Sequence, residues 1–351
     1  MKKISILTFS LGDNYGAALQ AYSLGEVLRR KGNEVTYIYL TWSTWRYKIL
    51  SMVTPIHYKF NRFRSKYLKY FSKKCKSFAD LRALTDNPDD LYIVGSDQVW
   101  NPDITKDKSL FYFFNFLPNN IKRASYAASF GVSEWKYAEQ TDTIRDLLKK
   151  FSVVSVREES GIKICKKTFD IPDVSKVLDP TLLLGDFKSL IKPTKHRGKI
   201  ISFLFHPSRD SYNLLEQLNN KMKKDVLIMD LPRMRFDLRQ FKYGVSMFNS
   251  PEDWVSNISS AAFIVTDSYH CLVFSLIFRR QFVFIATNTS LLGRITTLLE
   301  PLGLSNRIYD SPECVFKNSI WQQEINYDDV HSRLDQMRSS SMSVLDKILE
   351  I

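Results

Sequence analysis

Ala261-Ala262-Phe263-Ile264-Val265-Thr266-Asp267-Ser268-Tyr269-His270-Cys271-Leu272-Val273-Phe274-Ser275-Leu276-Ile277-Phe278 is the stretch whose reading decides the fold. Its first six residues form a run that reads as a buried strand, and the last eight are apolar enough for a buried helix. Asp267, Ser268, Tyr269 and His270 fall at the junction. In open α/β sheets, ligands bind where strands end and helices begin. A helix N-terminus offers unpaired N–H groups to an anion, and a histidine there exchanges protons near neutral pH. Two readings stand side by side: a functional junction, or Asp267 capping the helix with His270 a satisfied polar group in the core.

Working outward, the same alternation recurs. Residues 4–9 read as a strand. Residues 15–31 carry Ala17, Ala18, Ala21, Leu24, Val27 and Leu28 at helical spacing, and Gly32-Asn33 ends that helix before a strand at 35–40. Short strands are predicted at 92–94, 124–126 and 153–156, with helices at 134–150 and 158–167. Residues 186–198, basic and without apolar periodicity, read as a linker. A second alternation follows: strands at 200–205, 226–229, 263–266 and 282–285, helices at 210–224, 269–278 and 291–299. Residues 327–349 read as a polar, amphipathic helix. The fold class predicted is α/β, with two Rossmann-like domains facing a cleft: an N-terminal domain over 1–186, a C-terminal domain over 199–320 and a C-terminal helix within 321–351.

Length supports two domains, since the chain has 351 residues. Its 44% hydrophobic and 25% charged content is that of a globular protein rather than a disordered one. A formal net charge of +13 implies an anionic partner. Cys75, Cys165, Cys271 and Cys314 show no paired spacing, so no zinc or iron–sulfur site follows, and scattered thiols suit a reducing compartment. The N-terminal apolar stretch stops at Gly12-Asp13-Asn14 with no small-residue cleavage site, and reads as a strand rather than a signal peptide. No run approaches the ~18 apolar residues that span a bilayer. The expectation is a cytoplasmic protein, with peripheral contact at the inner face of the cell membrane left open.

Between Glu34 and Asp80 there is no acidic residue. An insertion at 42–76 interleaves Arg46, Lys48, Lys59, Arg62, Arg64, Lys66, Lys69, Lys73, Lys74 and Lys76 with Trp42, Trp45, Tyr47, Tyr58, Phe60, Phe63, Tyr67, Tyr70 and Phe71. Such a segment suits an anionic membrane interface or single-stranded nucleic acid. It equally suits an amphipathic helix packing Phe60, Phe63, Tyr67 and Phe71 into the protein's own core.

Several strand-end clusters carry polar chemistry. In Gly12-Asp13-Asn14-Tyr15-Gly16-Ala17-Ala18-Leu19-Gln20, Gly16 and the alanines admit close backbone approach, and Asn14 and Gln20 suit sugar hydroxyls. Neither a GxGxxG fingerprint nor a Walker A pattern is present, which argues against a nicotinamide enzyme or a P-loop NTPase. Gly95-Ser96-Asp97-Gln98-Val99-Trp100-Asn101 follows a predicted strand, and Trp100 offers a face for sugar stacking; the plainer reading is a surface loop. Arg123-Ala124-Ser125-Tyr126-Ala127-Ala128-Ser129-Phe130-Gly131 is rich in small residues and hydroxyls. Arg157, in Ser155-Val156-Arg157-Glu158, could grip a carboxylate or phosphate in a bidentate fork, or form a structural ion pair with Glu158 or Asp179. Arg294, in Gly293-Arg294-Ile295, is a second candidate anion clamp. His206 ends a strand and is a minor candidate. No Cys/His pair, GxSxG elbow or HExxH motif is present, and no metal cluster is expected.

Taken together these stretches resemble the polysaccharide pyruvyl transferase family. The resemblance rests on Asn14–Tyr22, Gly95–Asn101, Ser125–Gly131, Ser155–Glu158, Leu178-Asp179-Pro180-Thr181 and Thr266–His270, in that order along residues 4–305. It implies a GT-B-like architecture with an acceptor side in the N-terminal domain and a donor side in the C-terminal one. It also implies transfer of the pyruvyl group of phosphoenolpyruvate to two hydroxyls of a sugar as a cyclic ketal, with the acceptor a lipid-linked or cell-wall glycan precursor. Phosphoenolpyruvate is then a co-substrate, and no cofactor or metal is expected. His270 is the expected general acid and base and Arg157 the anion grip. Asn14, Tyr15, Gly16, Gln20, Ser96, Asp97, Gln98, Trp100, Asn101, Arg123, Ser129, Asp267, Ser268, Tyr269 and Arg294 are expected at the substrate. Some branches of the family place an arginine two residues before the histidine. Here that position is Ser268, so the grip must come from Arg157, Arg294 or Arg123. A GT-B glycosyltransferase using a nucleotide sugar is the alternative, followed by a non-catalytic glycan- or lipid-binding protein. A nucleic-acid partner is not expected.

Overall fold

The computed structural model of the chain describes residues 1–41, 54–86, 88–230, 238–286 and 289–351. They form two compact units. One comprises Met1–Val53, Arg64–Leu184 and Asp335–Ile351, and the other Thr54–Phe63 and Gly185–Leu334.

The first unit is built on β1 (Lys3–Leu7), β2 (Glu34–Leu40), β3 (Phe71–Cys75), β4 (Leu91–Val94) and β5 (Arg123–Ser125), in the order β3-β2-β1-β4-β5. All pairings are parallel. A parallel sheet is covered on both faces, so its central strands read as continuous apolar runs. Leu91, Tyr92, Ile93 and Val94 are all buried for that reason. Single bridges from Ala124 to Val153 and from Ala128 to Val156 continue the sheet into β6 (Val154–Val156), which pairs with β7 (Val174–Lys176). The chain leaves β1 toward β2 and β3 and returns to its other side as β4 and β5. The topological switch point lies between β1 and β4.

The second unit repeats the plan with β8 (Ile200–Phe203), β9 (Val226–Met229), β10 (Gly244–Ser246), β11 (Phe263–Thr266), β12 (Phe282–Ile285) and β13 (Ile308–Tyr309). Their order is β10-β9-β8-β11-β12-β13, again all parallel. Here the switch point lies between β8 and β11, and the opening stretch of the sequence supplies one side of it. The terminal helix Tyr327–Glu350 contributes its start to this unit and its end to the first. In the first unit Ser341 accepts the backbone N–H of Leu178 at 2.9 Å.

Two departures from expectation have local causes. The helix predicted at 134–150 is confined to Thr141–Leu148. Ahead of it the Trp135 indole N–H donates to the Tyr137 carbonyl and the Thr141 hydroxyl, and the ring packs on Phe130 and Phe169, which folds the segment into an aromatic cluster. A helix at Pro251–Ser259 went unpredicted, although Ser250 and Asp253 form a reciprocal capping box with Pro251 at the first position.

Of the basic-aromatic insertion, residues 42–53 lie outside the described residues. Within the rest, the helix Pro55–Phe63 buries Ile56, Phe60 and Phe63. Tyr67 packs edge-on against Tyr22, and Phe71 packs against Tyr37 and Tyr39. Tyr58 and Tyr70 remain exposed.

The first helix, Tyr15–Arg30, closes tightly on β2. The Tyr37 hydroxyl donates to the Ala21 carbonyl at 2.9 Å, and burial pushes its pKa up to about 12. A Cβ added at Gly25 would lie 1.9 Å from that hydroxyl oxygen. Gly25→Ala should therefore cost about 1–3 kcal/mol through overpacking. Combining it with Tyr37→Phe, which removes the obstructing atom, should recover part of the loss. Denaturant unfolding of the two single variants and the double variant checks this, and strictly additive losses would contradict it.

Candidate active site

In the first unit, four of the strand-end clusters meet in one buried ionic network. The Arg157 Nε donates to Glu158 Oε1 at 2.8 Å and its Nη1 to Asp179 Oδ2 at 3.0 Å. The Ser96 hydroxyl also donates to Asp179 Oδ2, and the Ser129 hydroxyl to Glu158 Oε1. Asp179 Oδ1 accepts from the Thr181 hydroxyl at 2.6 Å and from its backbone N–H at 3.0 Å. Ser96, Ser129, Asp179 and Thr181 are wholly buried, and Arg157 is 5% exposed. One cation faces two carboxylates, and three hydroxyls and an amide take up much of their remaining acceptor capacity.

Arg157 therefore does not present the free bidentate fork expected of it. Its guanidinium is committed to Asp179 and Glu158, and the net negative charge around it disfavours a further anion. Arg123 is corrected likewise: it is wholly buried and donates to the carbonyls of Phe114, Pro118 and Ile121, and burial lowers its pKa. Trp100 presents no face to a sugar. It is wholly buried, stacked on Phe113 at 5.1 Å, with its indole N–H on the Tyr112 carbonyl. Gln20 is also internal. Its amide donates to Thr8 Oγ1, and Thr8 donates to the Ser96 carbonyl, which ties the end of β1 to the end of β4. Tyr15 and Gly16 are buried in the first helix turn.

What stays accessible at this switch point is narrower. Asn14 is exposed and caps the first helix through the Ala17 N–H. Asp97 and Gln98 are half-buried. Asp97 adopts a left-handed φ of 79° and accepts the Gln98 N–H at 2.8 Å. A non-glycine residue there is strained, and such strain clusters at functional sites. Asn101 is buried, accepts from the Asp103 N–H and donates to Gln98. A Cβ at Gly131 would strike the Gln98 carboxamide at 2.0 Å, so glycine is what lets this loop close. Arg64, 5% exposed, reaches the Gly12 carbonyl and the Asp13 carboxylate and holds the loop after β1 from the insertion side. Sequence reasoning did not single out that role, and nothing in its spacing signals it.

In the second unit, Asp267 is 2% exposed and accepts the N–H groups of Phe205 at 2.6 Å and His206 at 3.0 Å. It thereby stitches the end of β11 to the end of β8, across the switch point. Asp267 is not the helix cap. Ser268 takes that place, accepting the Cys271 N–H, while the Thr266 hydroxyl accepts the Ser268 N–H. Burial raises the Asp267 carboxyl pKa against the lowering effect of the two amides. The fold thus favours the neutral acid, so this group's contribution to stability declines as pH rises through the raised value. Tyr269 is buried edge-on to His270, with ring centroids 5.2 Å apart. His270 is half-buried in the first turn of Tyr269–Ile277, and His206 is exposed on the neighbouring strand end. Arg294 is partly buried in the helix Thr289–Leu299, which follows β12.

Among the described residues no group of three or more His, Cys, Asp or Glu is placed to hold a metal ion. No helix among them is long and apolar enough to cross a membrane.

Arg157→Ala should leave two buried carboxylates uncompensated and cost about 3–5 kcal/mol. Pairing it with Asp179→Ala should cost less than the sum of the two single changes. Chemical denaturation of the three variants tests this, and a near-native stability for Arg157→Ala would refute a structural role. Asp267→Asn would set an amide N–H against one of two backbone N–H groups, so it should lose about 1–3 kcal/mol, read in the same assay.

A family model described as polysaccharide pyruvyl transferase matches residues 14–289. No curated protein matches the chain. Among solved structures it is similar to the UDP-GlcNAc 2-epimerase of Neisseria meningitidis bound to UDP-GlcNAc, at 11% identity and TM-score 0.60 with all of both chains covered. It is similar to the S. aureus MnaA–UDP complex at 12% identity and TM-score 0.56, over 95% of this chain and 91% of that one. The glycotransferase of kitacinnamycin matches at 12% identity and TM-score 0.57, over 99% and 98%. At such identities the likeness establishes the two-domain α/β fold of the GT-B class and nothing about substrates.

Proposed function

The chain belongs to the polysaccharide pyruvyl transferase family and is a transferase, and from that premise we propose that it moves the pyruvyl group of phosphoenolpyruvate onto two hydroxyls of one sugar in a lipid-linked glycan precursor. The observation that carries this reading is the placement of His270. A half-buried imidazole stands on the first turn of a helix at the end of β11, beside the end of β8, where an open α/β sheet binds its ligand.

The reaction adds a proton to C3 of phosphoenolpyruvate, joins a sugar oxygen to C2, breaks the C2–O bond to phosphate and joins a second sugar oxygen to C2. Two hydroxyl protons are lost; one appears on C3 and the other leaves with phosphate. His270 is assigned the proton transfers, because an imidazole both gives and accepts a proton near neutral pH. Of the three arginines considered for the anion grip, Arg157 and Arg123 are spent inside the first unit. Arg294, on the helix that follows β12, is the arginine assigned to the anion, with the N–H groups of the first turn of Tyr269–Ile277 as further donors. Asp97, Gln98 and Asn14 are the side chains assigned to the acceptor sugar.

Phosphate release from phosphoenolpyruvate with a panel of lipid-linked glycans, followed by mass analysis of the glycan, tests the reading. Acceptor-dependent release with gain of one pyruvate ketal is expected, reduced about 10²–10⁴-fold in His270→Ala. Normal turnover in that variant would remove the assignment of His270. Consumption of a nucleotide sugar with no reaction of phosphoenolpyruvate would move the chain to the glycosyltransferase reading.

A further inference from the structure

Residues 65–79 contain five lysines, Lys66, Lys69, Lys73, Lys74 and Lys76, and no arginine or acidic residue. All five are exposed. They stand on a fixed scaffold, since Leu68 and Cys75 of the same segment are buried and Phe71 packs on Tyr37 and Tyr39. β3, which carries Lys73 and Lys74, is an edge strand of its sheet among the described residues. Lys69, Lys73, Lys74 and Lys76 take part in none of the ion pairs of the described residues. The next acidic side chain along the chain, Asp80, is turned back to accept the N–H groups of Lys76 and Ser77. Two aromatic rings lie among and beside the lysines: Tyr70 is 64% exposed and Phe78 47%.

We propose that residues 66–78 dock the first unit on the headgroup surface of an anionic lipid bilayer. Clustered lysines are drawn to the negative potential of such a surface without any specific geometry. Exposed aromatic rings beside them suit its interfacial layer. Within residues 65–79 the charge is carried by lysine alone, with Arg62 and Arg64 just ahead of it, which suits a diffuse anionic surface better than base-specific recognition. Guanidinium forks serve phosphate and base recognition, whereas lysine is a strongly hydrated point charge. This proposal does not depend on which group the enzyme transfers.

The full-length protein would be sedimented with phosphatidylcholine vesicles, alone and mixed with phosphatidylserine. Binding is expected only to the mixed vesicles and should weaken with salt. Each lysine near such a surface is worth about fivefold in binding, so Lys73→Glu/Lys74→Glu should weaken it at least ~25-fold. Lys149→Glu/Lys150→Glu makes the same charge change on two exposed lysines elsewhere in the first unit and should reduce binding far less. Thermal melting of both variants shows whether each is folded, and Tyr70→Ser supplies a milder second variant, expected to weaken binding without changing charge. Equal losses in the two double variants would overturn the proposal in favour of net charge alone. Failure of wild type to bind the mixed vesicles would overturn it outright. Tight binding of a single-stranded oligonucleotide, lost in Lys73→Glu/Lys74→Glu while vesicle binding persists, would replace the lipid with nucleic acid.

Discussion

The ion pairs of Arg157 with Asp179 and Glu158 are the constraint on which the first unit depends. Residues from four separate stretches of chain converge there: Ser96 after β4, Ser129 after β5, Arg157 and Glu158 after β6, and Asp179 and Thr181 at the start of the short helix Pro180–Leu184. Burying three charges is costly, and their mutual attraction offsets that only with good geometry and further hydrogen bonds. Here the hydroxyls supply those bonds. The same arrangement sets the strand-end loops, because the residues holding it flank Asp97, Gln98 and Asn101. An interior network thus determines where the accessible polar side chains of the switch point stand.

The second unit solves the same problem with a lighter device. A single carboxylate, Asp267, accepts two backbone N–H groups from the neighbouring strand end. Phe205 and His206 are carried to the side of β11, and His270 follows three residues later on the helix. Both units lock the two strand ends that flank the switch point. In the first the link from β1 to β4 runs from Gln20 through Thr8 to Ser96; in the second it runs from Thr266 and Asp267 to Phe203, Phe205 and His206. A doubly wound sheet opens between those strands because its helices cross to opposite faces there. Leaving the opening unfilled by apolar side chains requires that its walls be held by polar contacts instead.

Much of the fold was legible in the sequence because parallel strands buried on both faces announce themselves. Val226–Met229 and Phe282–Ile285 stand at the boundaries read from their apolar runs. The weaker strands β10 and β13 did not, being three and two residues long, too short for any periodicity to show. The helix Pro251–Ser259 carries its signal in its cap, with Ser250, Pro251 and Asp253 at the start, rather than in a long apolar repeat. Within the candidate site, the motifs marked strand ends but not the direction of each side chain. Trp100 and Gln20 sit in polar, sugar-like sequence contexts and still point inward. Local pattern places a residue at a strand end; only the packing of Phe113, Tyr112 and Thr8 around it decides which way it turns.

That distinction bears on how loss of activity should be read in this fold. A polar residue at a strand end can act on a ligand or hold the wall beside it, and substituting either removes turnover. The two differ in where the free energy goes. An interior residue such as Arg157 has partners that become unpaired when it is removed, so the cost appears in unfolding as well as in rate. A half-buried group such as His270, if its work is proton transfer, shows its cost in rate with stability little changed, and its effect follows the pH of the reaction. Stability and rate measured together on the same variants therefore separate the residues that build the switch point from those that use it.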